Sequence, residues 1–288
     1  MSKVDQFESV FRAASKAVYH LDAPRIRKVL LVTDFDAKTA EHFSYENHQF
    51  LAVIEAIEPD SVTWDTITGD EYANIADLLE RVERHKPDLL LTYRHLKSDA
   101  WKWPFSLGEY LDVLTQAAGS PVLVVPHPSE GGAMPHAVSD TDVVMAITDH
   151  LTGDDQLVNW SARFTAPNGR LFLTHVENET VFEHYIATIG KIPSIDTDDA
   201  RESIFAQLMK EPTDYIESCK GVLDQSDLAI EVLPIVTIGH RLETYKKLIE
   251  DHEVDLLVMN TKDEYQAAMH GLTYPLAVEL RSIPLLLL

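Results

Sequence analysis

Two doubly wound α/β units in tandem, each on a parallel sheet, are what this sequence predicts. Three observations predict it: an internal repeat, near-continuous apolar runs of strand length, and helical patterns between those runs. In the repeat, His85-Lys-Pro-Asp88-Leu-Leu-Leu91 lies over His252-Glu-Val-Asp255-Leu-Leu-Val258, each a helix end followed by an aspartate that leads into an apolar strand. Gly108 opens a stretch that closes on Ser120-Pro-Val-Leu-Val-Val125. Gly271 opens one that closes on Ile283-Pro-Leu-Leu-Leu-Leu288, and each closing residue falls 17 positions after its glycine. Both copies also begin alike, with an apolar run ending in Thr-Asp: Lys28-Val-Leu-Leu-Val-Thr33-Asp34 and Val143-Val-Met-Ala-Ile-Thr148-Asp149. Strands of this character, apolar without alternation, are those of a parallel sheet covered on both faces.

Taken in order, residues 5–20 place Phe7, Val10, Phe11, Ala14 and Val18 at helical spacing, a surface helix or a dimer contact. The first unit then offers helices at 36–56, 70–85 and 108–118. In the second of these, Ile75, Leu78, Leu79 and Val82 form one apolar stripe opposite charge, the mark of a helix lying on a sheet. Residues 126–135 have the proline and glycine density of a linker. The second unit offers helices at 154–164, 198–222, 241–252 and 271–281. Its acidic pairs Asp154-Asp155 and Asp198-Asp199 stand at helix starts, where negative charge favours the dipole. The expected organisation is an N-terminal helical extension (1–26), a first unit (27–126), a linker (127–141) and a second unit (142–288). Asp34 to Asp88 spans 54 residues but Asp149 to Asp255 spans 106, so the first unit is abbreviated by roughly one strand and one helix. The surplus of the second unit is expected to include the strand Arg170-Leu-Phe-Leu-Thr-His175-Val176 and the long helix after Ile195.

Composition narrows the function classes. Among 288 residues 45% are hydrophobic and 25% charged, a balance that buries a core. The formal net charge of −23 opposes approach to nucleic acid or to an anionic membrane, so neither is an expected partner. The single cysteine, Cys219, excludes an intrachain disulfide, and no continuous apolar run has the length of a membrane span. The expected location is cytoplasmic. No nucleophile elbow, Walker loop or dinucleotide fingerprint is present, and none of the thirteen histidines forms a zinc pattern, His42 and His48 being six apart. Neither a catalytic residue nor a metal site is expected.

The strand ending Thr33-Asp34-Phe35, the strand through His175-Val176, the Asp255–Met259 strand and the glycine-initiated helix running to Leu288 together resemble the universal stress proteins. The resemblance covers nearly all of 28–125 and 143–288. It implies adenine nucleotide alpha hydrolase-like sheets of five parallel strands, paired through their last strands, here 122–125 and 285–288. That arrangement is an intramolecular pseudo-dimer, with a homodimer as a further option. Some members of that family bind ATP through a G-x-x-G loop, nine residues, then G-[ST], whose N–H groups close on phosphate.

Both loops depart from that form. In the second unit Asn260 and Asp263 replace the first two glycines, Gly271 survives, Leu272 takes the hydroxyl place with Thr273 one position late, and Asp263 and Glu264 add negative charge where phosphate oxygens would lie. In the first unit only Gly108 survives, Glu109 takes the hydroxyl place, and Trp101, Trp103 and Phe105 are expected to plug the cleft or join the two units. Asp34 and Asp149 take the place of a family aspartate near adenine and ribose, or else cap a helix. His175 matches a family histidine, and a satisfied core side chain is its simpler role. The expected function is that of a non-enzymatic stress-response protein acting through an unknown protein partner or small ligand, without a cofactor. The alternative is a switch that binds ATP or AMP and hydrolyses it slowly, using Asp149, Val176, Met259, Asn260, Gly271 and Thr273. A third option is an apolar or aromatic ligand near Tyr265, Met269 and Tyr274.

Overall fold

A computed structural model of the chain describes residues 17–57, 62–102, 105–128, 138–148, 151–261 and 273–288. Its strands are β1 (Lys28–Val32), β2 (Thr63–Ile67), β3 (Leu89–Tyr93), β4 (Val122–Val125), β5 (Val143–Ile147), β6 (Arg170–Asn178), β7 (Glu231–Gly239), β8 (Leu256–Met259) and β9 (Leu285–Leu287). They form one sheet in the order β2-β1-β3-β4-β9-β8-β5-β6-β7. Every neighbouring pair is parallel except β4 with β9, where Val122 faces Leu287 and Val124 faces Leu285 in antiparallel register. The strands of the two halves therefore run in opposite directions, and their carboxyl edges open at opposite ends of the sheet.

The central strands are buried throughout, with Val29–Val32, Leu89–Leu91, Val144–Ile147, Leu256–Met259 and Leu285–Leu287 at 0–2% exposure. Such strands need cover on both faces. It comes from α1 (Ala37–Phe50), α2 (Ala52–Ile57), α3 (Ile75–His85), α4 (Glu109–Ala117), α5 (Asp155–Phe164), α6 (Glu179–Ile189), α7 (Thr197–Leu223), α8 (Arg241–Asp251) and α9 (Thr273–Glu279). The expected helix at 36–56 breaks at Leu51, and that at 70–85 begins only at Ile75, where the side chain of Asn74 accepts from the Asp77 N–H and fixes the start. α6 lies outside the expected helices.

The two halves share a device at the amino ends of their strands. Asp88 Oδ2 accepts from the N–H groups of Arg27 (2.8 Å) and Lys28 (3.0 Å), and the Asp88 N–H donates to the Lys28 carbonyl. Asp255 Oδ2 accepts from Val143 N–H at 2.8 Å, and its own N–H donates to the Val143 carbonyl. The prolines match as well. Pro121 and Pro284 cannot donate, but their carbonyls accept from Leu90 and Leu257 at the neighbouring strand starts.

Sheet order corrects the expected placement of the surplus. β6, which holds Arg170-Leu-Phe-Leu-Thr-His175-Val176, has a counterpart in β2, since each flanks the first strand of its half. The additional strand is β7, at the sheet edge. Pro234 within β7 fits an edge, where a missing N–H breaks no ladder. The additional helical mass is α6 and α7 between β6 and β7.

Residues 17–27 are not helical, contrary to the expectation for 5–20. Val18 is 57% exposed, and positions 7, 10, 11 and 14 lie outside the described residues. The segment instead straps the chain to its second half before β1 begins. Tyr19 is buried, its N–H donates to Ser218 Oγ (3.1 Å), and its hydroxyl donates to Asn159 Oδ1 (2.7 Å). Two buried arginines join the halves further. Arg163 on α5 donates to the carbonyls of Val53 and Ile54 on α2, and Arg94 after β3 donates to those of Val278 and Leu280 around the end of α9. A cation at helix carbonyls satisfies the orphan acceptors and complements the dipole.

Candidate functional site

In a doubly wound sheet ligands lie beyond the carboxyl ends of the strands, where the winding direction reverses, and here that means two separate edges. At the first edge Asp34 follows β1, but it does not cap a helix. Asp36 does that, accepting from the Thr39 N–H at 2.9 Å. Asp34 accepts from the Tyr93 hydroxyl through Oδ1 and from the Lys97 N–H (2.7 Å) through Oδ2. Lys97 then reaches across the edge, with Nζ on the carbonyls of Gly69 (2.7 Å) and Tyr72 and 4.2 Å from the Tyr72 ring centre. The loop after β3 thus lies over the crevice. His95 and Lys97 hold left-handed backbone (φ 59° and 55°), and Leu96 and Leu107 are buried at 1%.

These residues occupy the crevice. Of the expected aromatics, Phe105 is 80% exposed, and Trp103 and the Trp101 side chain lie outside the described residues. The retained glycine acquires another role. Gly108 has φ 94°, and a Cβ there would fall 2.8 Å from the backbone N and Cα of His95, whose N–H donates to the Leu107 carbonyl (3.0 Å). It permits a close backbone approach. Behind the loop, His127 packs edge-on to Tyr93 at 5.1 Å, and burial pushes its pKa down to about 4. Burial and the Arg94 charge lower that of His95 as well. Tyr93 is raised, first by burial and then by its bond to Asp34, so it is a phenol at neutral pH.

At the second edge, Asp149 and Gly271 lie outside the described residues, as do Asp263, Glu264 and Leu272. Val176, Met259, Asn260 and Thr273 can be placed. Val176 is buried near the end of β6. Its N–H donates to the Tyr245 hydroxyl (3.2 Å) and its carbonyl accepts from Arg241 Nε (3.0 Å), while the same hydroxyl donates to the Thr148 carbonyl (3.4 Å). Met259 closes β8 opposite Ile147 and Leu287. Asn260 donates its side-chain amide to Asp154 Oδ2 (2.5 Å), and Asp154 also caps α5 through the Leu157 N–H (3.1 Å). The Thr273 hydroxyl donates to the Asn260 carbonyl at 2.8 Å. Asn260 and Thr273 are therefore brought together, and Val176 lies two strand positions away, about 10 Å.

Of the described donors assigned to an adenine nucleotide, the Val176 N–H, one N–H of the Asn260 amide and the Thr273 hydroxyl each donate within the chain. Asn260, in the place of the first glycine, binds its side chain to the β5–α5 connection. Tyr245 and Lys97 are the side chains that the sequence reading missed. Each stands outside the positions a glycine-loop motif inspects, and tyrosine at helical spacing in α8 reads as core. His175 is buried, with Nε2 3.4 Å from Glu177 Oε2, as a core histidine would be. Of the third expected ligand site only Tyr274 is described, and it packs against the core.

Among the described residues no helix is long and apolar enough to cross a membrane, and no group of three or more histidine, cysteine or acidic residues is arranged to hold a metal. No protein-family model and no curated protein matches the chain. Solved structures do. A functionally unknown protein, PA1789 of Pseudomonas aeruginosa PAO1, is 14% identical at a TM-score of 0.47, with 92% of this chain and 93% of that one covered. The hypothetical protein MJ0577 is 16% identical at a TM-score of 0.40 and covers 51% of this chain with 96% of its own. A protein of Pseudomonas aeruginosa UCBPP-PA14, 14% identical at a TM-score of 0.47 over 91% of this chain and 93% of its own, is provisionally assigned as a universal stress protein, the family that the sequence motifs resemble.

Proposed function

We propose that the chain is a non-enzymatic, cytoplasmic protein of universal stress type that acts by binding a partner protein or a small ligand, its two units paired through β4 and β9. One observation carries the reading. At both carboxyl edges the groups that would receive a nucleotide are engaged within the chain, Asp34 by the Tyr93 hydroxyl and the Lys97 backbone N–H, and Val176 by the Tyr245 hydroxyl. A reacting group needs a free donor, base or nucleophile within reach of its substrate. The first edge presents Tyr93 held as a phenol, and Asp34, Val176, Asn260 and Thr273 are each hydrogen-bonded within the chain. Cys219, a buried residue of α7 with its pKa pushed up to about 12, is no nucleophile at neutral pH.

Equilibrium dialysis of the purified chain against ATP and AMP at millimolar concentration with magnesium tests this reading, alongside a phosphate-release assay. The expected result is neither retention of nucleotide nor release of phosphate. Saturable binding of ATP or AMP, abolished by Thr273→Val, would establish the nucleotide switch in place of this reading.

A further inference from the structure

A cavity lies beside the carboxyl end of β6, against the segment that has no counterpart in the first half. α7 is 27 residues long, about 40 Å, and its buried positions, Pro212, Tyr215, Ile216, Cys219 and Leu223, all fall in its second part. Its first part leans on α6 instead, with Phe182 and Phe205 ring to ring at 6.0 Å. Arg201 spans the same helices, bonding both carboxylate oxygens of Glu183 (2.6 and 2.5 Å) with its guanidinium 5.5 Å from the Phe182 ring centre. Between the helices and the end of β6 is a pocket of about 380 Å³, walled by Phe182, Tyr185, Ile189, Ile204 and Leu208 and with Glu177 at its β6 end. Exposed large apolar side chains gather around it: Val181, Tyr185, Ile192, Ile195 and Phe205 are 39–58% exposed.

That volume lies within the range of small-molecule sites, which are largely apolar with few orienting polar groups. The polar groups here are the Thr188 and Tyr185 hydroxyls and the Glu177 carboxylate, the charged group of the lining. The Thr188 hydroxyl donates to the His184 carbonyl (2.9 Å), and Glu177 sets the orientation. Its side chain is 17% exposed. One oxygen accepts from the Asn178 N–H (3.1 Å) and the other faces His175 at 3.4 Å. Arg201, a cation on the α6–α7 surface, is paired with Glu183, as Lys210 is with Asp214. A carboxylate at the end of an apolar chamber with two aromatic walls favours a cation and disfavours an anion, since ring faces and carboxylate attract the same charge.

We propose that this pocket binds an amphiphilic organic amine, its aryl or alkyl body between α6 and α7 and its ammonium against Glu177. The proposal rests on the reading of the chain as a binding protein and names a ligand class for it. Glu177 follows Val176 in β6, so the two side chains leave opposite faces of the strand.

Calorimetric titration of the full chain with 4-phenylbutylamine, 4-phenylbutanol and 4-phenylbutyrate tests it. The expected order is amine over alcohol by at least about tenfold, with the acid weakest. Glu177→Gln brings amine and alcohol to equal affinity while leaving the alcohol unchanged, and Leu208→Trp removes binding of both. Should Leu208→Trp lower the melting temperature, Ile204→Trp on the less buried side of α7 replaces it. Equal binding of amine and alcohol to the unaltered chain, a preference for amine that survives Glu177→Gln, or no binding of either overturns the proposal. A pocket covered by a second copy of the chain, seen as a dimer in sedimentation that the amine does not dissociate, overturns it as well. Nucleotide retention is scored separately by the dialysis above, so failure of the binding-protein reading and failure of the amine site give different results.

Discussion

The amino edge and the carboxyl edge of the sheet treat the repeat in opposite ways. At the amino ends of their strands the halves use the same residues at the same places: Asp88 and Asp255 close the starts of β1 and β5, and Pro121 and Pro284 supply carbonyls to Leu90 and Leu257. At the carboxyl edge they share an outcome but not the residues. Both tie a tyrosine hydroxyl to the carbonyl of the threonine that ends the first strand, Tyr72 to Thr33 at 3.2 Å and Tyr245 to Thr148 at 3.4 Å. Tyr72 precedes α3, however, whereas Tyr245 lies within α8. The amino edge has to start buried strands with every N–H paired, and few side chains can do so. On the proposed reading the carboxyl edges have no such common task, and different side chains suffice in the two halves.

The comparison breaks most readily at the aspartates. Asp255→Ala strands the Val143 N–H at a site 3% exposed, and the expected loss is about 3 kcal/mol in urea unfolding. Asp88→Ala removes two such bonds in a half-buried place that water reaches, and about 1 kcal/mol is expected. Equal losses would show that burial does not separate the two halves. Gly108→Ala follows in size. The Cβ would press on the His95 backbone at a positive φ, for an expected cost of about 2 kcal/mol, and a neutral result in the same assay would refute the close approach.

This contrast also explains what could be read from the sequence. Asp88, Asp255, Pro121 and Pro284 were legible because they sit at fixed offsets from apolar strands, so the repeat, the α/β class and the central strands came with them. β2, Thr-Trp-Asp-Thr-Ile, was not. An edge strand half exposed on its outer side has no continuous apolar run to mark it. β7 carries Pro234, which interrupts the strand pattern in the sequence, and the fold uses this strand only at the edge. The loss of glycines at Asn260 and in residues 94–107 was legible, but the replacements were not. Phe105 faces solvent, while Leu96, His95 and Lys97 fill the crevice, because left-handed turns at His95 and Lys97 redirect the loop in a way no residue type announces. Tyr245 reads as a core residue until its hydroxyl is seen on Val176.

Acid distinguishes the halves through His127. Its folded pKa, about 4, is below the ordinary 6.5, so between these values the unfolded chain binds a proton that the folded chain does not. Stability from this group is complete above pH 6.5 and is lost as pH falls toward 4. About 2 kcal/mol is the expected loss, less than the full linkage value because the ring is only partly desolvated. His127→Gln should flatten that part of the profile in urea titrations at stepped pH. An unchanged slope would assign the acid sensitivity to other groups.

The smallest expected effect probes the carboxyl edges directly. Tyr72→Phe and Tyr245→Phe each remove a hydroxyl from a threonine carbonyl, but Tyr245 also accepts from the Val176 N–H, so its loss leaves a donor and an acceptor unpaired where Tyr72 leaves an acceptor alone. About 1 kcal/mol is expected for Tyr72→Phe and slightly more for Tyr245→Phe. Amide exchange at Val176 gives the sharper reading, since its N–H should exchange faster in Tyr245→Phe while the amides of β1 remain as in the unaltered chain. If Val176 stays equally protected, the tyrosine is packing against the edge rather than closing it, and the second edge would be available to a ligand after all.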